Sequence, residues 1–325
     1  MDPARALVVD TDGGIDDAVA LWWALTRPEL EVLAVVATAG NVDRDTAVLN
    51  VGRVLRAAGR TDVPVARGAA GPMGAVGPVG AVGVSAGGAG LAARGPSRHG
   101  PDGLGGCADR WPPSDVGPVA EPGAELVARL SSLRPGEIDL VTLGPLTTLA
   151  AALRTDPGLA GRLRSVTVMG GRVGAGHVVS AAESNVGRDP NAAAQVLAAP
   201  WSTAEAPLLV GLDVTEAARL TGDDLAAAAA GRTAAARFVA DPLAAYARAY
   251  GGGGDGGGGG HGGGVPCHDL VALVAAVEPE AVTEVERRRL RVAGVPGPAG
   301  VPWQVALTVD AARIRAIFRA LVEAP

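Results

Sequence analysis

Lysine is absent from the sequence, and all 28 basic residues are arginine. With 34 acidic residues the formal net charge is −6 and the pI is near 5.3, which argues against a nucleic-acid partner or an anionic membrane surface. No apolar run approaches the roughly 18 residues of a membrane-spanning helix, and no signal-like leader precedes the first apolar run. We therefore expect a soluble, cytoplasmic protein.

Cysteine is almost as scarce. Cys107 and Cys267 lie far apart, in no metal-binding or redox spacing, which excludes a disulfide framework and a cysteine zinc site. Apolar residues are abundant at 48%, and there are 48 glycines. A chain of this length and composition can bury a large core, and we expect one α/β domain over 1–325. Gly-rich, low-complexity segments interrupt it at about 68–96 and 251–264.

The most informative stretch is an acidic turn near the start. An apolar run at 7–9 is followed by Gly13 and Gly14 and then by a helical pattern, which predicts a buried strand, a tight turn and a helix. The turn carries four aspartates: Asp10, Asp12, Asp16 and Asp17. Side chains two apart on a strand face the same way, so the first pair can converge while the second pair begins the helix. The pattern predicts a cup of carboxylates at the strand's carboxyl end.

Electrostatics indicates what such a cup would bind. Two carboxylates about 4 Å apart repel by roughly 4 kcal/mol at an effective dielectric constant of about 20, and the helix N-terminus offsets only about 0.3 to 1 kcal/mol of this. A divalent cation would relieve the repulsion. Oxygen ligands without cysteine or histidine favour a hard ion such as Ca²⁺ or Mg²⁺ over Zn²⁺. The alternative is that two aspartates cap the helix and the others are solvated.

Apolar runs and helical patterns alternate along most of the chain. Strands are predicted at 32–37, 63–66, 138–143, 165–169 and 208–212, with helices between them. A loop is predicted at 176–185, a helix is predicted to start near Pro190, and the chain from Thr215 to Tyr250 is predicted to be mostly helical. This alternation is typical of a parallel sheet covered by helices on both faces. Late strands at 282–292 and 303–309 could pair as a hairpin. Because ligands in such sheets bind beyond the carboxyl ends of the strands, we expect Asn41, which follows the second strand, beside the aspartates.

Seven motifs occur in the order and approximate spacing found in one enzyme family: DTDGGIDDAVAL, TAGNV, HGPDGLGG, LGPLTTLA, VMGG, AESN and HDLVAL. From about residue 6 to about residue 310 the chain resembles the inosine-uridine preferring nucleoside hydrolases. The resemblance implies a single α/β domain with a mostly parallel, Rossmann-like sheet, a bound Ca²⁺ and a homodimer or homotetramer. It also implies hydrolysis of the N-glycosidic bond of a ribonucleoside, which releases ribose and a free purine or pyrimidine base.

The resemblance also implies roles for individual residues. The metal ligands would be Asp12, Asp17, Asp269 and the backbone carbonyl of Leu143. Asp12 would also act as general base, and His268 would face the leaving base. The candidates for the acid that protonates this base are His268 and His99. The substrate-binding residues would be Asp16, Asn41, Met169, His177, Glu183, Asn185 and, as a second candidate beside the base, His99. Among these, His177 stands where the family generally has asparagine, and the Gly13-Gly14 turn replaces Pro-Gly.

Other interpretations are open at this stage. His268 could simply cap the helix that begins beside it, and the polar residues of the motifs could be turn formers or solvated. Tyr246 and Tyr250, four apart on a helix face, could stack on the base or pack in the core. Two other functions remain: a haloacid-dehalogenase-type phosphatase, which would use Asp10 as nucleophile, and a non-catalytic nucleoside or ribose binder.

Overall fold

The computed structural model describes residues 4–73, 97–251 and 264–323. Most of each predicted Gly-rich segment therefore lies outside the described residues. The strands, numbered β1 to β12 in chain order, are Arg5–Thr11, Leu30–Ala37, Val65–Arg67, Ile138–Thr142, Ser165–Met169, Val178–Val179, Leu208–Val210, Arg219–Leu220, Val265–Pro266, Val282–Arg288, Arg291–Val292 and Trp303–Val309. The α-helices of the described residues, α1 to α12, are Ile15–Thr26, Arg44–Ala57, Gly123–Leu133, Thr147–Thr155, Leu159–Arg162, Ser184–Arg188, Pro190–Ala198, Leu212–Thr215, Gly222–Ala230, Ala234–Gly251, His268–Val277 and Ala311–Glu323.

An eight-stranded sheet forms the centre of the fold, in the order β10-β12-β7-β5-β4-β1-β2-β3. Neighbouring strands from β12 to β3 are parallel, and β10 at one edge runs antiparallel to β12. The prediction of a mostly parallel sheet is therefore confirmed. The two late strands that were expected as a hairpin are β10 and β12, and they do pair with each other.

The sequence of β1 explains why helices cover both faces of the sheet. Its apolar run points alternately to the two sides: Leu7 and Val9 belong to one buried hydrophobic cluster, and Ala6 and Val8 belong to the other. Helix α1, which packs against helices α11, α10 and α2 and against β2, is apolar around most of its circumference and is buried along nearly its whole length. A strand buried on both faces is typical of a parallel sheet between two layers of helices.

Backbone hydrogen bonds join the carboxyl ends of β1, β2 and β4. The N–H of Leu143, just after β4, donates to the carbonyl of Asp10 (2.7 Å), and the N–H of Thr38, just after β2, donates to the carbonyl of Thr11 (2.9 Å). These bonds continue the sheet pairing by one residue into the loops. The side chains that follow the three strands are therefore set at one edge of the sheet.

Two predicted elements differ from the structure. The strand expected at 208–212 ends at Val210, because the Leu212 N–H turns to the carbonyl of Gly171 (2.8 Å) and a short helix begins. The long helical region expected after Thr215 is divided into α9 and α10. Thr221 starts α9 with a capping box, after the short strand β8. Within the described ranges, none of the helices combines the length and the hydropathy of a membrane span.

Candidate active site

A cavity of about 390 Å³ opens at the carboxyl edge of the sheet. Most of the residues predicted for the site line it: Asp16, Asn41, His99, Leu143, Met169, Glu183, Asn185, His268 and Asp269. Asp12 and Asp17 are buried beside these residues without lining the cavity. The structure thus brings together residues from all seven sequence motifs.

The turn between β1 and α1 is held by the carboxylate of Asp17. One oxygen accepts hydrogen bonds from the hydroxyl of Thr11 and the N–H of Asp12, and the other accepts from the N–H of Gly14 (2.9 Å). Gly13 has a φ of +71°, which proline cannot adopt. A Cβ on Gly14 would lie 2.7 Å from the His99 ring, so the second glycine is required by close packing.

Three buried carboxylates converge at the cavity. Asp16, Asp17 and Asp269 each place an oxygen within 4.8 Å of the others. Oδ1 of Asp16 is buried and has no hydrogen-bond partner in the described part of the chain, while Oδ2 accepts from the N–H of His268 (3.1 Å). Residue 269 therefore meets the acidic turn, as the sequence predicts. Burial, with repulsion from Asp17, raises the pKa of Asp16 to about 7 and that of Asp269 well above its ordinary value.

The carboxylate of Asp12 is held by Asn41. It accepts hydrogen bonds from both the backbone N–H (2.8 Å) and the side-chain amide (2.9 Å) of that residue. Burial, followed by repulsion from Asp17, raises the pKa of Asp12 well above its ordinary value. The expected ligand set contained Asp12, but the three carboxylates that converge in the structure include Asp16 in its place.

The remaining sugar-pocket candidates contact one another behind the acids. The Asn185 amide donates to the carbonyls of Leu143 (2.6 Å) and Met169 (3.2 Å). The carboxylate of Glu183 caps α6 by accepting from the N–H groups of Asn185 (2.8 Å) and Val186 (2.9 Å), and it also accepts from Gly171 (2.8 Å). These side chains line the cavity and also fix the loops around it.

Two histidines stand at the cavity wall. His99 accepts a hydrogen bond at Nδ1 from the N–H of Ile15 (3.0 Å), so its proton is on Nε2. His268 Nδ1 lies 2.7 Å from the hydroxyl of Thr215, and its Nε2 lies 3.4 Å from the hydroxyl of Tyr250. Burial lowers the pKa of His99 to about 4 and that of His268 to about 3. Both rings are neutral near pH 7.

The two tyrosines left open by the sequence both line the cavity. Their rings meet edge to face with centroids 4.9 Å apart, and the ring of Tyr246 lies 4.9 Å from that of His99. Tyr246 is fully buried and Tyr250 is partly buried. Together with the histidines they form an aromatic wall on one side of the cavity.

Two predicted or rival candidates are not at the cavity. His177, predicted as a substrate-binding residue, is exposed, has a φ of 59° and does not line the cavity. It follows Gly176 in a short 3₁₀ turn whose side chains face solvent. Asp10, the nucleophile that a phosphatase would need, is buried beneath the site and accepts a hydrogen bond from Thr38 (2.5 Å).

Several cavity residues were missed by sequence reasoning. Arg98 and Arg188 both line the cavity. Arg98 directly precedes the histidine of the HGPDGLGG motif, and Arg188 lies three residues after AESN, so proximity to a motif was the available signal. Thr215, which contacts His268, lies outside every motif, and only the folded chain brings it close.

Comparison with known proteins agrees with this geometry. The family model "Inosine-uridine preferring nucleoside hydrolase" matches residues 7–314. A probable uridine nucleosidase 2 from Arabidopsis thaliana is 32% identical over 284 residues, which cover 87% of this chain and 80% of that protein. The pyrimidine-specific ribonucleoside hydrolase RihA of Citrobacter koseri is 31% identical over 284 residues, 87% of this chain and 83% of that protein.

A solved plant nucleoside hydrolase superposes with a TM-score of 0.80 at 28% identity and covers 99% of this chain and 100% of its own. Fold, motifs and cavity thus agree across the whole described structure. The chain belongs to the inosine-uridine preferring nucleoside hydrolase family, and it is a hydrolase that acts on the N-glycosidic bond of ribonucleosides.

Proposed function

We propose that the protein hydrolyses pyrimidine ribonucleosides, uridine first among them, in a reaction that depends on Ca²⁺. The relatives described above include a probable uridine nucleosidase and a pyrimidine-specific hydrolase, which supports this substrate class. The observation that carries the proposal is the convergence of Asp16, Asp17 and Asp269, buried and within 4.8 Å of one another, at the cavity.

The donor set fits a hard divalent cation. Three buried carboxylates lie together, and Oδ1 of Asp16 lacks a partner among the described residues, so the cluster is short of positive charge. Asp17, Asp269 and either Asp12 or Asp16 would hold the ion, together with the carbonyl of Leu143. All these donors are oxygens, which favours Ca²⁺. When bound, the ion would neutralise the carboxylates and help to orient water and sugar hydroxyls.

The side chains at the cavity suit the chemistry of glycosidic cleavage. Breaking the bond to the base leaves positive charge on the ribosyl ring, and the carboxylates at the cavity stabilise that charge. We assign Asp12 as the general base, because Asn41 fixes its carboxylate by two hydrogen bonds and because a raised pKa lets it accept a proton from water near neutral pH.

The histidines serve as neutral groups in this proposal. His99 carries its proton on Nε2 and can donate one hydrogen bond from there, while Thr215 fixes the ring of His268. With pKa values lowered to about 4 and about 3 by burial, neither is a cation at pH 7. We therefore assign them to orienting the nucleoside beside the tyrosines.

Base release from uridine, cytidine, inosine and adenosine in the presence of Ca²⁺ tests the proposal. We expect release of uracil, and a loss of at least about 1,000-fold in Asp12→Asn, because removal of a general base typically costs 100- to 10,000-fold. Asp109→Asn, at an exposed position, is the matched control. Saturable uridine binding without any release would instead support the non-catalytic binder.

We extend the proposal to the protein's setting. The resemblance to the family supports a homodimer or homotetramer that works in the cytoplasm in nucleoside salvage, folded as one domain. Light scattering coupled to size-exclusion chromatography measures the mass of the particle in solution. A mass of twice or four times 32.1 kDa is expected, and a monomer at micromolar concentration would contradict this part of the proposal.

A further inference from the structure

The cavity separates charge between its floor and its rim. Asp16 and Asp269 lie at the sheet edge, whereas Arg98 lines the cavity beside the aromatic wall. The guanidinium carbon of Arg98 lies 4.2 Å from the centroid of the Tyr250 ring. The hydroxyl of the same tyrosine lies 3.4 Å from Nε2 of His268. A cation therefore lies at the side of the cavity where His268 was expected to face the base.

Stacking holds the guanidinium of Arg98 in place. Within residues 4–73, 97–251 and 264–323, no carboxylate forms an ion pair with it, and it lies over the face of the Tyr250 ring. The backbone at this position is fixed, because the next residue, His99, accepts the N–H of Ile15. A guanidinium that stacks on a ring keeps its N–H donors free in its own plane. Arg98 can therefore donate to a ligand in the cavity.

A second arginine supports the same ring from a different position. The guanidinium carbon of Arg219 lies 5.5 Å from the centroid of Tyr250, and its N–H groups donate to the carbonyl of Gly264. This arginine is anchored in the protein and does not line the cavity. Of the two, Arg98 is therefore the one placed to meet a substrate.

The reaction creates a need for such a cation. When the bond between C1′ of the sugar and the base nitrogen breaks, its electron pair stays on the base. Water forms the new bond to C1′ and gives up a proton, and that proton finally balances the base. Until then the base carries negative charge, shared with its ring carbonyl oxygens. Arginine keeps its own proton and stabilises such charge by hydrogen bonds.

We propose that Arg98 binds the leaving base, donates hydrogen bonds to a ring carbonyl oxygen and stabilises the negative charge that develops on the base. This inference rests on the proposed function and specifies its substrate class. Of the pyrimidines, a base with a carbonyl at C4, such as uracil, is favoured over one with an amino group at C4, such as cytosine. The reason is that an amino group cannot accept a hydrogen bond from a guanidinium.

The test compares uridine, cytidine and 5-fluorouridine as substrates of the calcium-supplied protein. In 5-fluorouridine the fluorine already stabilises the base anion, so the anion requires less stabilisation from Arg98. We expect Arg98→Gln to lower kcat/KM for uridine roughly 10- to 100-fold, the range of one hydrogen bond to a charged group. The losses for cytidine and 5-fluorouridine should be several-fold smaller. Arg98→Lys should recover part of the uridine activity.

Arg315→Gln, at a half-buried position on α12 that does not line the cavity, is the control and should leave all three values unchanged. Equal losses on the three substrates would show that Arg98 only maintains the loop, and unchanged values would show that it has no part; either result overturns the inference while the proposed function stands. If the wild-type protein releases no base from any nucleoside, the proposed function falls and the inference falls with it.

Discussion

Burial sets the charge states of the acidic side chains beside the cavity. It raises the pKa of Asp10 and of Asp16 to about 7, and it raises the pKa of Asp12 and Asp269 well above the ordinary value. Buried carboxylates without a compensating cation destabilise a fold. Groups that are kept in spite of such a cost are candidates for function.

Asp269→Asn should therefore have opposite effects on stability and on metal binding. Removing one of three converging carboxylates relieves repulsion, so the thermal midpoint of the metal-free variant at pH 8 should rise, by about 2 to 4 °C for each kcal/mol of repulsion removed. The increase that Ca²⁺ gives the wild-type protein should be lost. Thermal unfolding with EDTA and with Ca²⁺ measures both effects. A destabilised variant that still responds to Ca²⁺ would contradict this account.

Asp10 should make the metal-free protein less stable as the pH rises. Burial raises its folded-state pKa to about 7, above the ordinary value of 3.8. The folded state therefore holds this proton more tightly than the unfolded state. The stabilisation is complete below about pH 4 and is lost as the pH rises through about 7. Urea unfolding at pH 5 and pH 8 in EDTA should show a smaller difference for Asp10→Asn than for wild type, while the exposed control Asp109→Asn matches wild type.

At the level of residues, the sequence predicted the acids better than their partners. Asp16, Asp17 and Asp269 meet, with Asp12 beside them, because strand ends and helix starts share one edge, which a motif pattern can reveal. The pattern did not predict that Asn41 donates to both oxygens of the Asp12 carboxylate, or that His177 faces solvent. Both outcomes depend on side-chain and loop geometry, which the spacing of motifs along the chain does not determine.

Turns that follow the strands are the elements that position the site. Gly40, between β2 and α2, packs directly against Asp12, and a Cβ built there would lie 2.0 Å from the Asp12 carboxylate. Gly144, after β4, approaches Asp12 from the other side, with its Cβ position 3.0 Å from that of Asp12. The carboxylate is thus enclosed by two backbone turns as well as by Asn41.

Gly40→Ala should remove activity without unfolding the protein. The added methyl group must displace the Asp12 carboxylate, which would separate it from Asn41, and a displacement of about 1 Å can cost roughly 100-fold in rate. We expect kcat for uridine to fall by at least about this factor. Gly71→Ala is the matched control, since its Cβ would meet nothing within 4 Å. Circular dichroism checks folding, and wild-type kcat in Gly40→Ala would argue against the assignment of Asp12.

Element types were well predicted where a pattern was long and periodic. The strand at Ser165–Met169 and the helix that begins at Pro190 match their predictions. Short elements were not recognised, among them α6 at Ser184–Arg188, which begins at the end of the loop predicted at 176–185. That helix is set by the Glu183 cap and by Asn185 reaching across to β4, so tertiary contacts rather than periodicity decide it.

Across the whole molecule, buried carboxylates have different partners at the two edges of the sheet. At the amino edge, Asp139 is fully buried and is paired with Arg5 and Arg164, and it accepts a hydrogen bond from Ser165. At the carboxyl edge, the buried aspartates converge on one another. The strands that join the edges are the same. Stability is therefore concentrated at one edge and the chemistry at the other.

This division predicts that stability and activity can be separated by mutation. Asp139→Asn leaves two arginines without their shared partner at a buried position, and breaking a buried ion pair costs about 3 to 5 kcal/mol. Because both arginines are partly exposed, with 19% and 27% of their side-chain surface accessible, water recovers some of this loss and we expect about 2 to 3 kcal/mol. The kcat for uridine should stay at the wild-type value, since four strand residues, or about 13 Å, separate Asp139 from Leu143. Urea unfolding with parallel uracil-release assays makes the comparison, and a variant that keeps its stability while losing kcat would show that the two edges are coupled.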